Sequence, residues 1–221
     1  MATRAYDDLY LSGAQNVLGH AVDFAVMTLE IDPDIFGNAF AVSSVSKQFA
    51  IGNPAYVAGK NGCELAREVL TEVCISFPDA EDAMYPDRSP EYWAGWSLAF
   101  YQWYRDVPFA EILQAVPLSG IINMYPLYHE MDISRFAEQM DTMMKKAYPQ
   151  TRLRRHRDIC EMSQTALAAE SGVPLRQIQL FEQGRRDINK TSADTLKRLS
   201  KALCCRMEDL IEPDYPDYER L

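Results

Sequence analysis

The chain has 221 residues, of which 48% are hydrophobic and 24% charged, so it can form one large or two ordinary globular domains. Its five cysteines are odd in number and show no CxxC or His-paired spacing, which argues against a disulfide framework and a zinc site. Residues 1–20 have neither a basic start nor an apolar run, and no stretch reaches about 18 consecutive apolar residues. We therefore expect a cytoplasmic protein that does not cross a membrane and needs no metal or cofactor.

The formal net charge of −10 is distributed unevenly along the chain. Residues 1–150 carry 9 Lys and Arg against 20 Asp and Glu, a net charge of −11. Residues 151–207 carry 12 against 6, a net charge of +6, and residues 208–221 carry 1 against 6, a net charge of −5. This separation is typical of a basic module that meets a polyanion while an acidic domain is held away from it.

The sequence pattern of the first third of the chain predicts helices. Apolar residues at helical spacing indicate a first long helix from Ser12 to Leu29 and a second from Ile35 to about Phe49. His20 has no second metal ligand at helical spacing, so it is expected to be a packed or surface residue. Three glycines fall within residues 52–62, but no strand pattern and no phosphate-loop motif accompanies them. This segment is instead predicted to be a loop in which Asn61 caps the next helix.

The middle of the chain contains an unusually aromatic helix. Residues Asp79 to Asp87 are acidic and flanked by prolines, which indicates an exposed connection, and Ser89 with Pro90 is a strong helix start. The aromatic residues that follow form one stripe at helical spacing: Trp93, Trp96, Phe100, Trp103 and Tyr104. We expect this stripe to be core, and the alternative is an aromatic cage for a small planar ligand.

Two short helical pieces, Phe109–Gln114 and Leu118–Met124, superficially form a helix-turn-helix. Their surroundings are acidic or neutral and lack arginines, so ordinary packing is the favoured interpretation. Asp132 is predicted to cap a helix from Ile133 to Ala147. Residues 148–150 then separate two domains.

Residues 162–184 predict two short helices around a tight turn. Ser163 is a suitable cap for the first helix, and Gly172 provides a residue that tolerates positive φ after Ser171. Pro174 suits the entry of a second helix, which is expected from about Leu175 to Gln183.

The second of these helices has two different faces. Ile178 and Phe181 lie on one side and are expected to be buried. The opposite side is expected to face outward and carries Arg176, Gln179, Leu180 and Gln183. Arginine pairs with guanine, glutamine with adenine, and leucine can contact a thymine methyl group, so this face suits the major groove of DNA.

On these residues, the region of about 149–212 resembles the Cro/CI-type (XRE) helix-turn-helix family. The positions that carry the resemblance are Leu153, Arg157, Ser163, Gln164, Leu167, Ala168, Gly172, Val173, Ile178, Phe181, Glu182, Gly184, Leu196, Leu199, Ala202, Leu203, Leu210 and Ile211. The resemblance implies a five-helix, lambda-repressor-like domain that binds double-stranded operator DNA. Glu161, His156 and Leu180 depart from the family pattern, in which a helix-ending glycine, an aliphatic core residue and a polar residue are usual.

The resemblance also implies roles for individual side chains. The residues implied to approach base edges are Leu175, Arg176, Gln179 and Leu180. Those implied to approach phosphates are Gln164, Gln177, Arg185, Arg186 and Lys190. Glu182 is implied to be structural and to pair with Arg157.

We therefore predict an all-α protein with an acidic helical domain at residues 1–148 and a helix-turn-helix domain at residues 149–221. The expected function is a non-enzymatic transcriptional repressor that binds a two-fold symmetric operator as a homodimer. The acidic domain is expected to dimerise, to bind a protein partner or to sense a small effector, and the sequence leaves these three open. The alternative is an antitoxin whose acidic domain neutralises a partner protein while the C-terminal domain represses its own operon.

Overall fold

The computed structural model describes residues 4–83 and 88–215, and every regular element in these residues is a helix. The predicted all-α class is therefore confirmed. The chain divides between Ala147 and Tyr148 into two compact units, and Tyr215 groups with the first unit, although we had placed the tail in the second. Within the described residues, no helix is long and apolar enough to cross a membrane.

The first unit contains ten α-helices within the described residues. They are α1 (Leu11–Asp23), α2 (Pro33–Val42), α3 (Ser44–Ala50), α4 (Pro54–Val57), α5 (Gly62–Glu72), α6 (Pro90–Arg105), α7 (Phe109–Ala115), α8 (Leu118–Ile122), α9 (Tyr125–Tyr128) and α10 (Ile133–Ala147). A 3-10 turn (Asp8–Tyr10) precedes α1, and a π-helical segment (Phe24–Thr28) continues it. The second unit contains α11 (Arg152–Ile159), α12 (Gln164–Ser171), α13 (Leu175–Glu182) and α14 (Ala193–Ala202), with 3-10 turns at Ile188–Lys190 and Glu208–Leu210.

The pairing of α1 with α6 is the most extensive helix contact in the first unit. The two helices approach closely because glycines face the partner helix: a Cβ atom on Gly95 would lie 2.4 Å from the Leu18 carbonyl oxygen. They run in opposite directions, since Ser89 donates to the Asp23 carboxylate at one end and the Ala5 N–H donates to the Trp103 carbonyl oxygen at the other. This pair forms the centre of the unit.

Several predicted helix boundaries in the first unit are confirmed. The Asn61 side chain accepts from the Glu64 N–H at 2.8 Å and the Glu64 carboxylate accepts from the Asn61 N–H at 2.9 Å, which forms a capping box. Asp132 accepts from the Ser134 N–H at 2.9 Å at the start of α10. The helices α7 and α8 contribute Phe109, Leu118 and other apolar side chains to the core, as the packing interpretation predicted.

The single helix predicted over Ile35–Phe49 is wrong, because the chain breaks into α2 and α3 at Ser43. Ser43 is extended, and its hydroxyl accepts from the Ser46 N–H at 3.1 Å, so it caps a new helix. A further short helix, α4, lies inside the predicted loop and is capped by Asn53. Of the predicted connection Asp79–Asp87, Asp82 pairs with Arg67 at 2.5 Å, and residues 84–87 lie outside the described residues.

The aromatic stripe of α6 is not the core face that we predicted. Trp93 is buried, but the other four residues of the stripe, Trp96, Phe100, Trp103 and Tyr104, are only half-buried. The buried face instead contains Ala94, Leu98 and Tyr101. The physical reason is the close approach of α1. The side of α6 that faces α1 has room for glycine and alanine, so the large rings lie on the adjoining sides of α6.

A buried ion pair joins α6 to α10. The guanidinium of Arg105 contacts both carboxylate oxygens of Asp141, with Nε 2.9 Å from Oδ1, and the Tyr101 hydroxyl donates to Oδ1 at 2.9 Å. Both charged side chains are at most 3% exposed. His20 is half-buried and packs edge-on against Tyr92, with ring centroids 4.8 Å apart, as expected for a packed histidine.

The second unit is built around one apolar core. Its buried members are Leu153, Leu167, Val173, Ile178, Phe181, Ile188, Leu196, Leu199, Leu203 and Leu210. Four α-helices surround this core, and the expected fifth helix is a single 3-10 turn at Glu208–Leu210. Glu161, where the family pattern has glycine, follows α11 with φ of 53°, so a glutamate occupies the left-handed conformation that favours glycine.

Candidate nucleic-acid interface

The helices α12 and α13 are joined by a tightly bonded turn. Ser163 caps α12 by accepting from the Ala166 N–H at 3.0 Å, and Gly172 ends it with φ of 65°. The Ser171 hydroxyl donates to the Leu167 carbonyl oxygen at 2.6 Å and accepts from the Val173 N–H at 3.2 Å. These contacts confirm the predicted cap and turn and fix the direction in which α13 leaves.

The two faces of α13 are those that the residue spacing predicted. Ile178 and Phe181 are buried, at 0% and 2% exposure. Leu175 is 36% exposed at the start of the helix, and Arg176 beside it is exposed. The helix therefore presents a guanidinium and an aliphatic side chain to solvent while its other face holds it in the core.

The other residues predicted on or beside the outward face differ in exposure, and Gln183 is exposed. Gln177, Gln179 and Leu180 are each half-buried. Partial burial limits the rotamers open to a side chain, so these positions are better ordered than Arg176 before any ligand arrives. The structure brings Leu175, Arg176, Gln179 and Leu180 onto a single short helix.

Glu182, at the end of α13, is the centre of a buried polar network. Its carboxylate accepts from Arg157 Nε at 2.6 Å and Nη2 at 3.0 Å, and from Gln164 Nε2 at 2.7 Å. Burial alone would raise the pKa of Glu182, but the hydrogen bonds from Arg157 and Gln164 outweigh it and hold that pKa below its ordinary value. The implied pairing of Glu182 with Arg157 is confirmed.

The Gln164 contact has a consequence for the predicted phosphate site. One proton of its side-chain amide is directed to Glu182, and the residue is half-buried at the N-terminus of α12. A phosphate could then be reached by the second amide proton or by the backbone N–H groups of the first helical turn. The network couples the position of Gln164 to the end of α13.

The loop after α13 carries exposed cations. Arg185 and Arg186 are exposed, with the Arg186 guanidinium carbon 5.7 Å from the centroid of the Phe181 ring. Lys190 is 84% exposed in its side chain and lies 3.1 Å from the Asp187 carboxylate. The loop places these charges beside the C-terminal end of α13.

Two supporting residues were missed by sequence reasoning. Arg198 on α14 donates to the Gly172 carbonyl oxygen at 3.0 Å and so closes the turn between α12 and α13. Asn189 exchanges two hydrogen bonds with the Glu212 backbone, at 2.8 and 2.9 Å, which anchors the basic loop. Both contacts join residues more than twenty positions apart, and no local pattern indicates them.

At the end of α14, Cys204 is exposed and Cys205 is half-buried. Burial raises the pKa of Cys205 to about 11, so its thiol is protonated at neutral pH. Within the described residues, no group of three or more His, Cys, Asp and Glu side chains is placed to hold a metal ion.

Two short helices around a glycine turn, an outward guanidinium on the second helix and a basic loop after it form the geometry of a DNA-binding domain. Residues 152–216 match the family model of the Cro/C1-type HTH DNA-binding domain. The Cro/C1-type domain thus begins at the start of α11 and covers the whole of the second unit's core. No curated protein and no solved structure matches the chain.

Proposed function

We propose that this protein is a sequence-specific transcriptional repressor whose Cro/C1-type domain places α13 in the major groove of double-stranded DNA. The observation that supports the proposal best is the division of α13, with Ile178 and Phe181 in the core and Arg176 exposed on the other side. A helix braced by its own domain in this way can enter a groove without losing its packing.

Base recognition is assigned to the outward residues of α13. The Arg176 guanidinium suits the O6 and N7 acceptors of guanine, and the Gln179 amide suits the N6 and N7 groups of adenine. Leu175 and Leu180 can contact thymine methyl groups. Four such side chains on one helix give a short half-site.

Affinity that does not depend on sequence is assigned to the surrounding donors and cations. These are Gln164, Gln177, Arg185, Arg186 and Lys190. Phosphate contacts of this kind release counterions, so binding should weaken as salt rises. The net charge of +6 over residues 151–207 agrees with this role.

The first unit is proposed to be non-enzymatic and to hold two copies of the chain together. Its net charge over residues 1–150 is −11, so phosphate repels it. It also exposes large apolar side chains, with Leu9 79%, Val42 68% and Ile51 67% exposed, which a second copy could cover. A homodimer would place its α13 helices in successive major grooves, about 10 bp or a multiple of it apart. None of the described features favours the antitoxin alternative.

The division of roles can be tested with two arginine variants of the full chain on DNA selected from a random-sequence pool. Arg176→Ala should weaken binding to the selected site by about 1–3 kcal/mol and relax sequence choice, because a base contact is lost. Arg185→Ala should weaken binding to selected and random DNA alike and lower the salt slope by about one unit.

A charge-matched control is Lys201→Ala, because Lys201 is exposed at the far end of α14 and outside the proposed interface. It should change both affinities much less. Identical behaviour of the Arg176 and Arg185 variants over a salt series would refute the assignment.

The assembly is tested separately by sedimentation of the full chain, followed by footprinting on the selected site. A dimer should protect two half-sites related by two-fold symmetry. A monomer that protects one asymmetric half-site would contradict the proposed homodimer.

A further inference from the structure

A cavity of about 360 Å³ lies in the first unit, between the start of α6 and the short helix α9. Its size falls in the range of about 300–1,000 Å³ that is usual for small-molecule sites. Five aromatic side chains among the described residues line it: Tyr92, Trp93, Trp96, Tyr125 and Tyr128. Three of them belong to the first two turns of α6, and Trp96 is the one half-buried residue of the aromatic stripe among the described lining residues.

The walls of the cavity are held in place by contacts with one another and with residues outside it. Trp93 packs edge-on against Tyr125, with ring centroids 5.8 Å apart, and against Phe136 at 5.4 Å. The Tyr92 hydroxyl donates to the Asn16 side chain at 2.7 Å. A rigid wall lowers the entropic cost of binding, because the side chains do not have to be ordered by the ligand.

The polar groups at the cavity define the charge of a ligand. The guanidinium carbon of Arg88 lies 5.1 Å from the Tyr92 ring centroid, and the residue is exposed. His129 also lines the cavity, stacks on Tyr125 with ring centroids 4.3 Å apart, and has its Nε2 atom 3.6 Å from the exposed carboxylate of Glu130, which is not among the described lining residues. No carboxylate is among the described lining residues. The positive charge of Arg88 would repel a quaternary ammonium ion held in the aromatic cage, whereas it would attract an anion.

We propose that this aromatic cavity binds a small planar aromatic molecule that carries a carboxylate. The ring system lies against the Trp and Tyr walls, and the carboxylate pairs with the Arg88 guanidinium. The aromatic walls favour a planar ring because such a ring can stack on their faces. The arginine favours a carboxylate because it can donate charge-assisted hydrogen bonds to it. This role is independent of DNA binding and gives the acidic unit a ligand of its own.

The proposal is tested by titrating the full chain with indole-3-carboxylate and with its neutral isostere, indole-3-carboxamide, in the absence of DNA. Calorimetry gives the affinity of each probe. We expect the carboxylate to bind about three- to fivefold more tightly than the carboxamide, since an ion pair with the exposed Arg88 is lost in the latter.

Two variants assign the contacts. Arg88→Gln should reduce this preference to about one while leaving carboxamide binding unchanged, and Trp96→Leu should weaken both probes by about tenfold. Arg67→Gln is a matched control, because Arg67 also lies over an aromatic ring of the first unit, 4.7 Å from that of Phe24, but does not line the cavity. It should leave both affinities unchanged.

The proposal is overturned if neither probe binds. It is also overturned if the preference for the carboxylate survives Arg88→Gln. Tighter binding of benzyltrimethylammonium than of the carboxylate would assign the cavity to cations instead. Circular dichroism of each variant separates loss of a contact from loss of the fold. Since DNA is absent, these outcomes do not depend on whether the proposed operator binding is correct.

Discussion

Replacing Glu182 by glutamine removes the charge at the centre of the polar network while keeping its volume. The side chain is 3% exposed and accepts three hydrogen bonds from Arg157 and Gln164. Removing one partner of a buried ion pair costs about 3–5 kcal/mol. Arg157 retains the Met162 carbonyl oxygen at 2.7 Å and the Asp158 carboxylate at 2.9 Å, and its side chain is 12% exposed. We therefore expect a smaller destabilisation of the second unit, about 2–3 kcal/mol.

The same network predicts how this destabilisation depends on pH. The folded pKa of Glu182 lies below its ordinary value of 4.5, so the unfolded carboxylate binds a proton first as the pH falls. The stabilisation is complete above about pH 4.5 and is lost as the pH falls through the folded pKa. Glu182→Gln has no such carboxylate. The stability difference between wild type and variant should therefore be constant near neutral pH and shrink below pH 4.5.

Hydrogen exchange of the full chain is the suitable assay, because all three tryptophans lie in the first unit and fluorescence does not report on the second. Peptides covering residues 164–182 give the free energy of opening after correction for intrinsic exchange rates. Glu170→Gln, which removes the same charge from an exposed site on α12, is the control and should have little effect. Unchanged protection in Glu182→Gln, or a difference that is as large at pH 3 as at pH 7, would refute the argument.

Two further predictions concern glycine. Glu161→Gly should stabilise the second unit by about 0.5–1 kcal/mol, because Glu161 has φ of 53°. Glu170→Gly inside α12 should instead destabilise it by about 1 kcal/mol. Hydrogen exchange measures both changes in stability, and two changes of the same sign would contradict the prediction. Gly95→Ala should destabilise the first unit by about 1–3 kcal/mol in urea denaturation followed by tryptophan fluorescence, since the new methyl group would lie 2.4 Å from a carbonyl oxygen. Gly120→Ala, whose methyl group would have its nearest neighbour at 3.6 Å, should be tolerated, and equal losses would show that the close helix approach is not the cause.

The Cro/C1-type domain could be predicted from sequence because its signals are local. Ser163 and Gly172 act on backbone groups a few residues away, so their roles as cap and left-handed turn are readable from spacing. The periodicity of Ile178 and Phe181 likewise defines the buried face of α13 without reference to the rest of the chain. The candidate DNA-binding side chains follow from that face.

The first unit shows what local patterns do not decide. The α6 helix is apolar around most of its surface, so periodicity alone did not distinguish its core face from the wall of a cavity. The close approach of α1 at Gly95 determines which face of α6 is buried. It buries the small residues and leaves Trp96 half-buried. The contacts of Gln164 with Glu182 and of Asn189 with Glu212 were likewise decided by tertiary structure. Each depends on two segments meeting in space, and the packing of whole helices, not the residues next to them in the chain, determines which segments meet.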